Sequence, residues 1–83
     1  MIKIYTKTTC PECVKAKNIL NMYGFDYTEI NIEEDLNERE FLLSEGHRSV
    51  PQLYINNQLL EGGANGITKE KVSEMLLTET QTI

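Results

Sequence analysis

The stretch TTCPECVKAK holds Cys10 and Cys13, the chain's only thiols, with a proline and a glutamate between them. Cysteines at this spacing can grip a metal, close a loop as a disulfide, or pass electrons to another molecule. A closed zinc site takes four ligands, whereas the sequence offers Cys10, Cys13 and a single histidine, His47. One chain is therefore a ligand short. A bridge across two intervening residues closes a very short loop and removes little unfolded-state entropy, so it is a poor staple. For thiol–disulfide exchange the same closeness is an advantage, because the second thiol is already held beside the first.

Exchange needs a thiolate, and an ordinary cysteine near pKa ~8.5 is mostly protonated at neutral pH. Cys10 stands just ahead of a helical pattern, where free N–H groups and the helix dipole favour an anion. Pro11 suits the first turn, where no N–H partner is needed and its φ is already helical. Lys7 can add positive charge, while Glu12 between the thiols opposes thiolate formation. Cys13 lies one turn inside, on the side of Ala16 and Leu20, as a shielded, resolving thiol. In the expected chemistry the Cys10 thiolate attacks a partner disulfide and forms a mixed disulfide. Cys13 then attacks the Cys10 sulfur, releases the reduced partner and leaves an internal disulfide.

The surrounding pattern supplies the elements that position these thiols. Ile2 and Ile4 alternate with Lys3 and Tyr5, a strand with one face towards a core. Ala16, Ile19, Leu20 and Tyr23 recur at helical spacing, and Gly24 stops that helix. DYTEINI alternates again, with Thr28, Ile30 and Ile32 on one face. Asp35 then caps a helix in a capping-box-like start with Glu38, running through Phe41, Leu42 and Leu43 to Gly46. QLYI and QLLE flank Asn56-Asn57 as a hairpin. Thr68 caps a last helix, with Ile67 and Val72 at the positions of a hydrophobic staple. The order is β-α-β-α-β-β-α. A strand–helix–strand unit demands a parallel pair and the hairpin adds an antiparallel one, which predicts a small four-stranded mixed sheet flanked by helices, an α/β fold.

The totals bound the function. The chain has 83 residues, 40% of them hydrophobic and 25% charged, which allows one domain, expected over 1–77, with a polar tail at 78–83. A formal charge of −5 disfavours nucleic acid and anionic membranes as partners. No apolar run approaches the ~18 residues of a transmembrane helix, and MIKIYTK lacks a signal-peptide core. A cytoplasmic, monomeric protein is expected. The acidic run EEDLNERE reads as a solvated helix start, and His47 beside Arg48 as a surface or substrate-facing residue.

Two further stretches complete a resemblance. HRSVPQLYIN is similar to the glutaredoxin segment that carries a cis-proline, with Ser49 where threonine is usual and Val50 and Pro51 matching. EGGAN resembles the diglycine turn that follows the hairpin in that family. With TKTTCPECVKAK the likeness runs in order over nearly the whole chain, which is identified as a member of the glutaredoxins, on the thioredoxin fold, and is similar to the short glutaredoxin-like hydrogen donors of ribonucleotide reductase. The resemblance implies a dithiol disulfide reductase with Cys10 and Cys13 catalytic. It implies no bound cofactor or metal, glutathione as reductant or co-substrate, and disulfide-containing proteins, ribonucleotide reductase among them, as partners. Pro51 would be cis, and Val50 would pair its backbone with the substrate. Lys7 would meet a glutathione carboxylate, Gly62 and Gly63 would let backbone amides approach a second one, and Asn65 would accept a hydrogen bond from the γ-glutamyl ammonium. Pro11 and Glu12 would border the substrate. The chain departs from the family at Glu12, where an aromatic is usual, and at Ala64 and Asn65, where aspartates usually receive the γ-glutamyl ammonium. The loss of the aspartate after the diglycine favours recharging by thioredoxin reductase as the alternative. An iron–sulfur-binding glutaredoxin is a further one, opposed by the second cysteine and Pro11.

Overall fold

In the computed structural model, residues 1–78 are described. The strands are β1 (Ile2–Thr6), β2 (Thr28–Asn31), β3 (Gln52–Ile55) and β4 (Gln58–Leu60), and the helices α1 (Pro11–Met22), α2 (Leu36–Ser44) and α3 (Lys69–Thr78). A short 3-10 turn, Gly63–Gly66, is the one element added to the expected order. The strands lie side by side as β2-β1-β3-β4, with β1 parallel to β2 and antiparallel to β3, and β3 antiparallel to β4. The tail expected over 78–83 lies outside the described residues, apart from Thr78 at the end of α3.

Each boundary follows from local chemistry. Beyond α1 the Gly24 and Phe25 amides return to Asn21 and Leu20 carbonyls, both at 3.0 Å, closing the helix at Gly24. The Asp35 carboxylate accepts from the Glu38 amide at 3.1 Å, but the capping box is only half made. The Glu38 carboxylate instead accepts from the Tyr5 hydroxyl at 3.3 Å. Thr68 Oγ1 accepts from the Lys71 amide at 3.1 Å, and both staple residues, Ile67 and Val72, are buried. Asn56 and Asn57 take φ of 51° and 68°, the left-handed pair that a two-residue hairpin turn requires.

Burial corrects the reading of β1. Ile2 and Ile4 do face a core, shared with Ala16 and Leu20 of α1, Leu53 and Ile55 of β3, and Val72 and Met75 of α3. The opposite face is covered as well: Tyr5 packs with Tyr54 and with Leu42 of α2. A central strand has neighbours on both sides, and a tyrosine serves there because its hydroxyl finds Glu38. Of the run Phe41-Leu42-Leu43 only Leu42 is buried, since consecutive helical residues point in different directions. Phe41 keeps contact through its ring, 5.9 Å from Tyr5 and 5.5 Å from Tyr54 between centroids. The sheet with α1 beneath it is thus a rigid support for the loop that leaves β1 and enters α1 at Cys10.

Candidate functional site

Between β1 and α1 the chain turns within four residues, Lys7, Thr8, Thr9 and Cys10. Thr9 takes φ of 57°, which costs a branched L-residue roughly 1–2 kcal/mol. The turn is held from the β2 side. Ile32 donates to the Thr6 carbonyl at 2.9 Å, Thr8 donates its amide to Glu33 Oε1 at 2.9 Å, and Asn31 Nδ2 donates to Thr8 Oγ1 at 3.3 Å. Thr8, through its side chain first and its amide second, lowers the Glu33 carboxyl below its usual range, with Lys7 and Arg39 adding to the effect.

This turn delivers Cys10 to the N-cap of α1, with Pro11 as the first helical residue. Cys10 Sγ accepts from the Cys13 amide at 3.2 Å, and the two residues are joined as a disulfide with Cα atoms 5.2 Å apart. Cys10 retains 9% of its surface and Cys13 only 2%, so the outer thiol is a small window rather than an open residue. Its cover is Val50, whose carbonyl oxygen lies 4.0 Å from Cys10 Sγ. The Val50–Pro51 peptide is cis. Pro51 in turn rests against Gly63, where an added Cβ would lie 3.3 Å from the Pro51 carbonyl oxygen and where φ is +56°.

Two grooves meet at this point. One, of about 350 Å³, is lined by Glu12, Ser49, Val50, Pro51, Gln52, Gly62, Gly63, Ala64 and Asn65, and so gathers six of the residues singled out from sequence. The other, of about 210 Å³, holds Lys7 together with Arg39, His47 and Arg48, and shares Ser49 and Val50 with the first. Lys7 is therefore on the far side of Val50 from the diglycine turn. Pro11 lies outside both grooves, on the exposed face of α1 with Val14 and Met22. Asn65 Oδ1 accepts from Lys15 Nζ at 3.3 Å, which occupies the group expected to serve a ligand. His47 Nε2 lies 2.8 Å from the Tyr54 hydroxyl. Burial raises the Tyr54 phenol, helped by Glu45.

Arg39, Arg48 and Lys15 were not anticipated as site residues. Arg39 sits inside an acidic run, and only the fold shows that it lines the same groove as Lys7; nothing in the linear pattern signals it. Among the described residues no cluster of three or more histidine, cysteine or acidic side chains could hold a metal ion. No helix among them is long and apolar enough to cross a membrane. Chemically, this cysteine pair, once reduced, holds one sulfur at a helix N-terminus and the other three residues on, and so can attack a disulfide and resolve the product.

The family model described as Glutaredoxin matches residues 2–60. Glutaredoxin 3 of Escherichia coli strain K12 is 37% identical over 62 residues, covering 74% of this chain and 75% of that one. Among solved structures, the buckwheat glutaredoxin–glutathione complex superposes with a TM-score of 0.74 at 26% identity, over 99% of this chain and 80% of that one. The glutaredoxin-like protein NrdH-redoxin from Escherichia coli, described as having a thioredoxin-like activity profile, gives 0.71 at 25% identity, over 88% and 91%.

Proposed function

The chain belongs to the glutaredoxin family, on a thioredoxin-like fold with a Cys10–Cys13 pair, and from that premise we propose that it is a dithiol disulfide reductase acting through its CPEC site. Cys10 is the attacking thiol and Cys13 the resolving one. The observation that carries this is the Cys13 amide directed at Cys10 Sγ, 3.2 Å away. A hydrogen bond to sulfur at a helix N-terminus stabilises the thiolate over the thiol, and the same helix turn keeps the second sulfur within reach. The substrate lies along Val50 as an extended strand, its disulfide brought to Cys10 by pairing with the backbone ahead of Pro51.

In this reading the domain over 1–77 works as a monomer in the cytoplasm, reduces protein and low-molecular-weight disulfides, and is recharged by glutathione. Ribonucleotide reductase is a client by family analogy. Glutathione offers a carboxylate to the groove of Lys7, Arg39 and Arg48, and its other end lies along the groove lined by Gly62 and Gly63, where the absence of a side chain lets backbone approach closely. A second reading, recharging by thioredoxin reductase, is favoured by one feature: the turn from Gly62 to Asn65 contains no carboxylate, and its Asn65 oxygen is taken by Lys15.

A coupled NADPH assay decides between them. Glutathione with glutathione reductase should sustain turnover of a mixed disulfide in the first case, and thioredoxin reductase alone in the second. Turnover with neither would end the reductase assignment.

A further inference from the structure

The two grooves that meet at Val50 carry opposite charge. Among the described residues Glu12 is the only ionisable side chain that lines the groove beside Pro51 and the diglycine turn; the Lys15 ammonium lies 3.3 Å from Asn65 Oδ1 of the same lining. The groove across Val50 presents Lys7, Arg39 and Arg48, with His47 among them. Glu12 is also unpaired. It makes no ion pair or hydrogen bond among the described residues, and Lys15, one turn along the same helix and its natural partner, is directed to Asn65 instead. A carboxylate left free in a groove that Val50 shares, Val50 being the residue whose carbonyl oxygen lies 4.0 Å from Cys10 Sγ, is available to an incoming chain.

We propose that Glu12 is a specificity determinant that receives a lysine or arginine next to the attacked cysteine of a protein substrate, and that the charge split across Val50 fixes the direction in which that substrate lies. The inference rests on the exchange chemistry proposed above. A substrate strand laid along Val50 sends one flank of its cysteine towards Glu12 and the other towards the cationic groove. A cation on the first flank is attracted. On the second it meets like charge. A reversed substrate exchanges attraction for repulsion at both ends, so the site reads order as well as charge.

The test uses three symmetric peptide disulfides, N-acetylated and C-amidated, centred on Gln-Cys-Gln, Lys-Cys-Gln and Gln-Cys-Lys. Reduced protein supplies two electrons per reaction: the Cys10–Cys13 disulfide forms, the peptide disulfide breaks, and two peptide thiols leave. Second-order rates are read by acid quench and chromatography. One lysine isomer should react about three- to five-fold faster than the neutral peptide, the scale of one partly exposed ion pair, and the other no faster. Ratios are taken within each variant, so a change in thiolate reactivity cancels. Glu12→Gln should return the favoured isomer to parity, and Glu12→Lys should bring it below the neutral peptide, both variants being checked for native circular dichroism. Equal acceleration of both isomers would mean only that the acidic protein attracts cations, and would overturn the proposal, as would a preference surviving Glu12→Gln. Failure to reduce any of the peptides would remove the exchange reading on which it rests.

Discussion

Cys10 caps the helix that carries Cys13: the amide of the inner residue donates to the sulfur of the outer one over 3.2 Å. The two thiols are thus unequal by construction. The outer sulfur receives the helix terminus, and the inner one is packed with Ala16 and Leu20 on the buried side of α1. Cys10→Ser should abolish disulfide reduction altogether. Cys13→Ser should keep glutathione-dependent monothiol turnover, lose reduction of protein disulfides, and accumulate a mixed disulfide with its client, visible by mass spectrometry as a covalent adduct on Cys10. Full activity in Cys10→Ser would reverse the proposed order of attack.

Gly63 and Pro51 form a contact that holds the far wall of the site. Gly63→Ala places a methyl 3.3 Å from the Pro51 carbonyl oxygen at φ of +56°, while Gly24→Ala meets nothing within 4 Å at φ of +79°. Both substitutions should cost about 1–2 kcal/mol for the left-handed backbone, read as a lower denaturation midpoint. Only Gly63→Ala should also slow disulfide reduction, because its methyl pushes on the residue next to Val50. Equal activity in the two variants would disconnect the diglycine turn from the substrate edge.

Acid stability should depend on Glu29. The buried Thr6 hydroxyl donates to it at 2.8 Å and Lys17 Nζ lies 3.1 Å away; the Thr6 hydrogen bond is the main cause that holds its carboxyl below the usual 4.5, burial opposes it, and Lys17 adds to the lowering. A carboxyl that binds its proton less readily when folded adds stability above its unfolded value, and that stability fades as pH falls through the folded value. Urea midpoints measured from about pH 6 to pH 3 should therefore fall less steeply for Glu29→Gln than for the native chain. Parallel curves would show that the Thr6–Glu29–Lys17 link contributes nothing to acid unfolding.

Most of the fold was legible because its signals are local. Helix caps at Asp35 and Thr68, the stop at Gly24 and the Asn56-Asn57 turn each depend on a few adjacent residues and the backbone they favour. The second buried face of β1 was not legible, since alternation of Ile2 and Ile4 with Lys3 and Tyr5 is equally the mark of a half-exposed strand. Its burial depends on α2 arriving from elsewhere in the chain. The same division holds at the site. Cys10, Glu12, Val50, Pro51 and Gly63 announce themselves by motif, whereas Arg39 joins Lys7 in one groove, and Lys15 reaches Asn65, only through tertiary packing. The hydrogen bonds of Glu33 and Asn31 to Thr8 are likewise invisible in one dimension.

The cationic groove offers the last test, and it separates the two recharging systems at the level of single residues. Lys7, Arg39 and Arg48 surround a space of about 210 Å³ that Val50 joins to the redox pair. A carboxylate bound there lies away from the breaking bond, so its contacts are the same before and during sulfur exchange. Such uniform binding lowers KM and leaves kcat untouched. If glutathione is the reductant, Lys7→Gln and Arg39→Gln should each raise KM for a glutathione mixed disulfide about three- to five-fold at moderate salt, with kcat unchanged. The effect should shrink as ionic strength rises, because screening weakens exposed charges. Reduction of a neutral peptide disulfide should be unaffected by either substitution. Were KM for the glutathione substrate unmoved in both variants, the groove would have no part in recognising glutathione, and recharging by thioredoxin reductase would become the better account of the site.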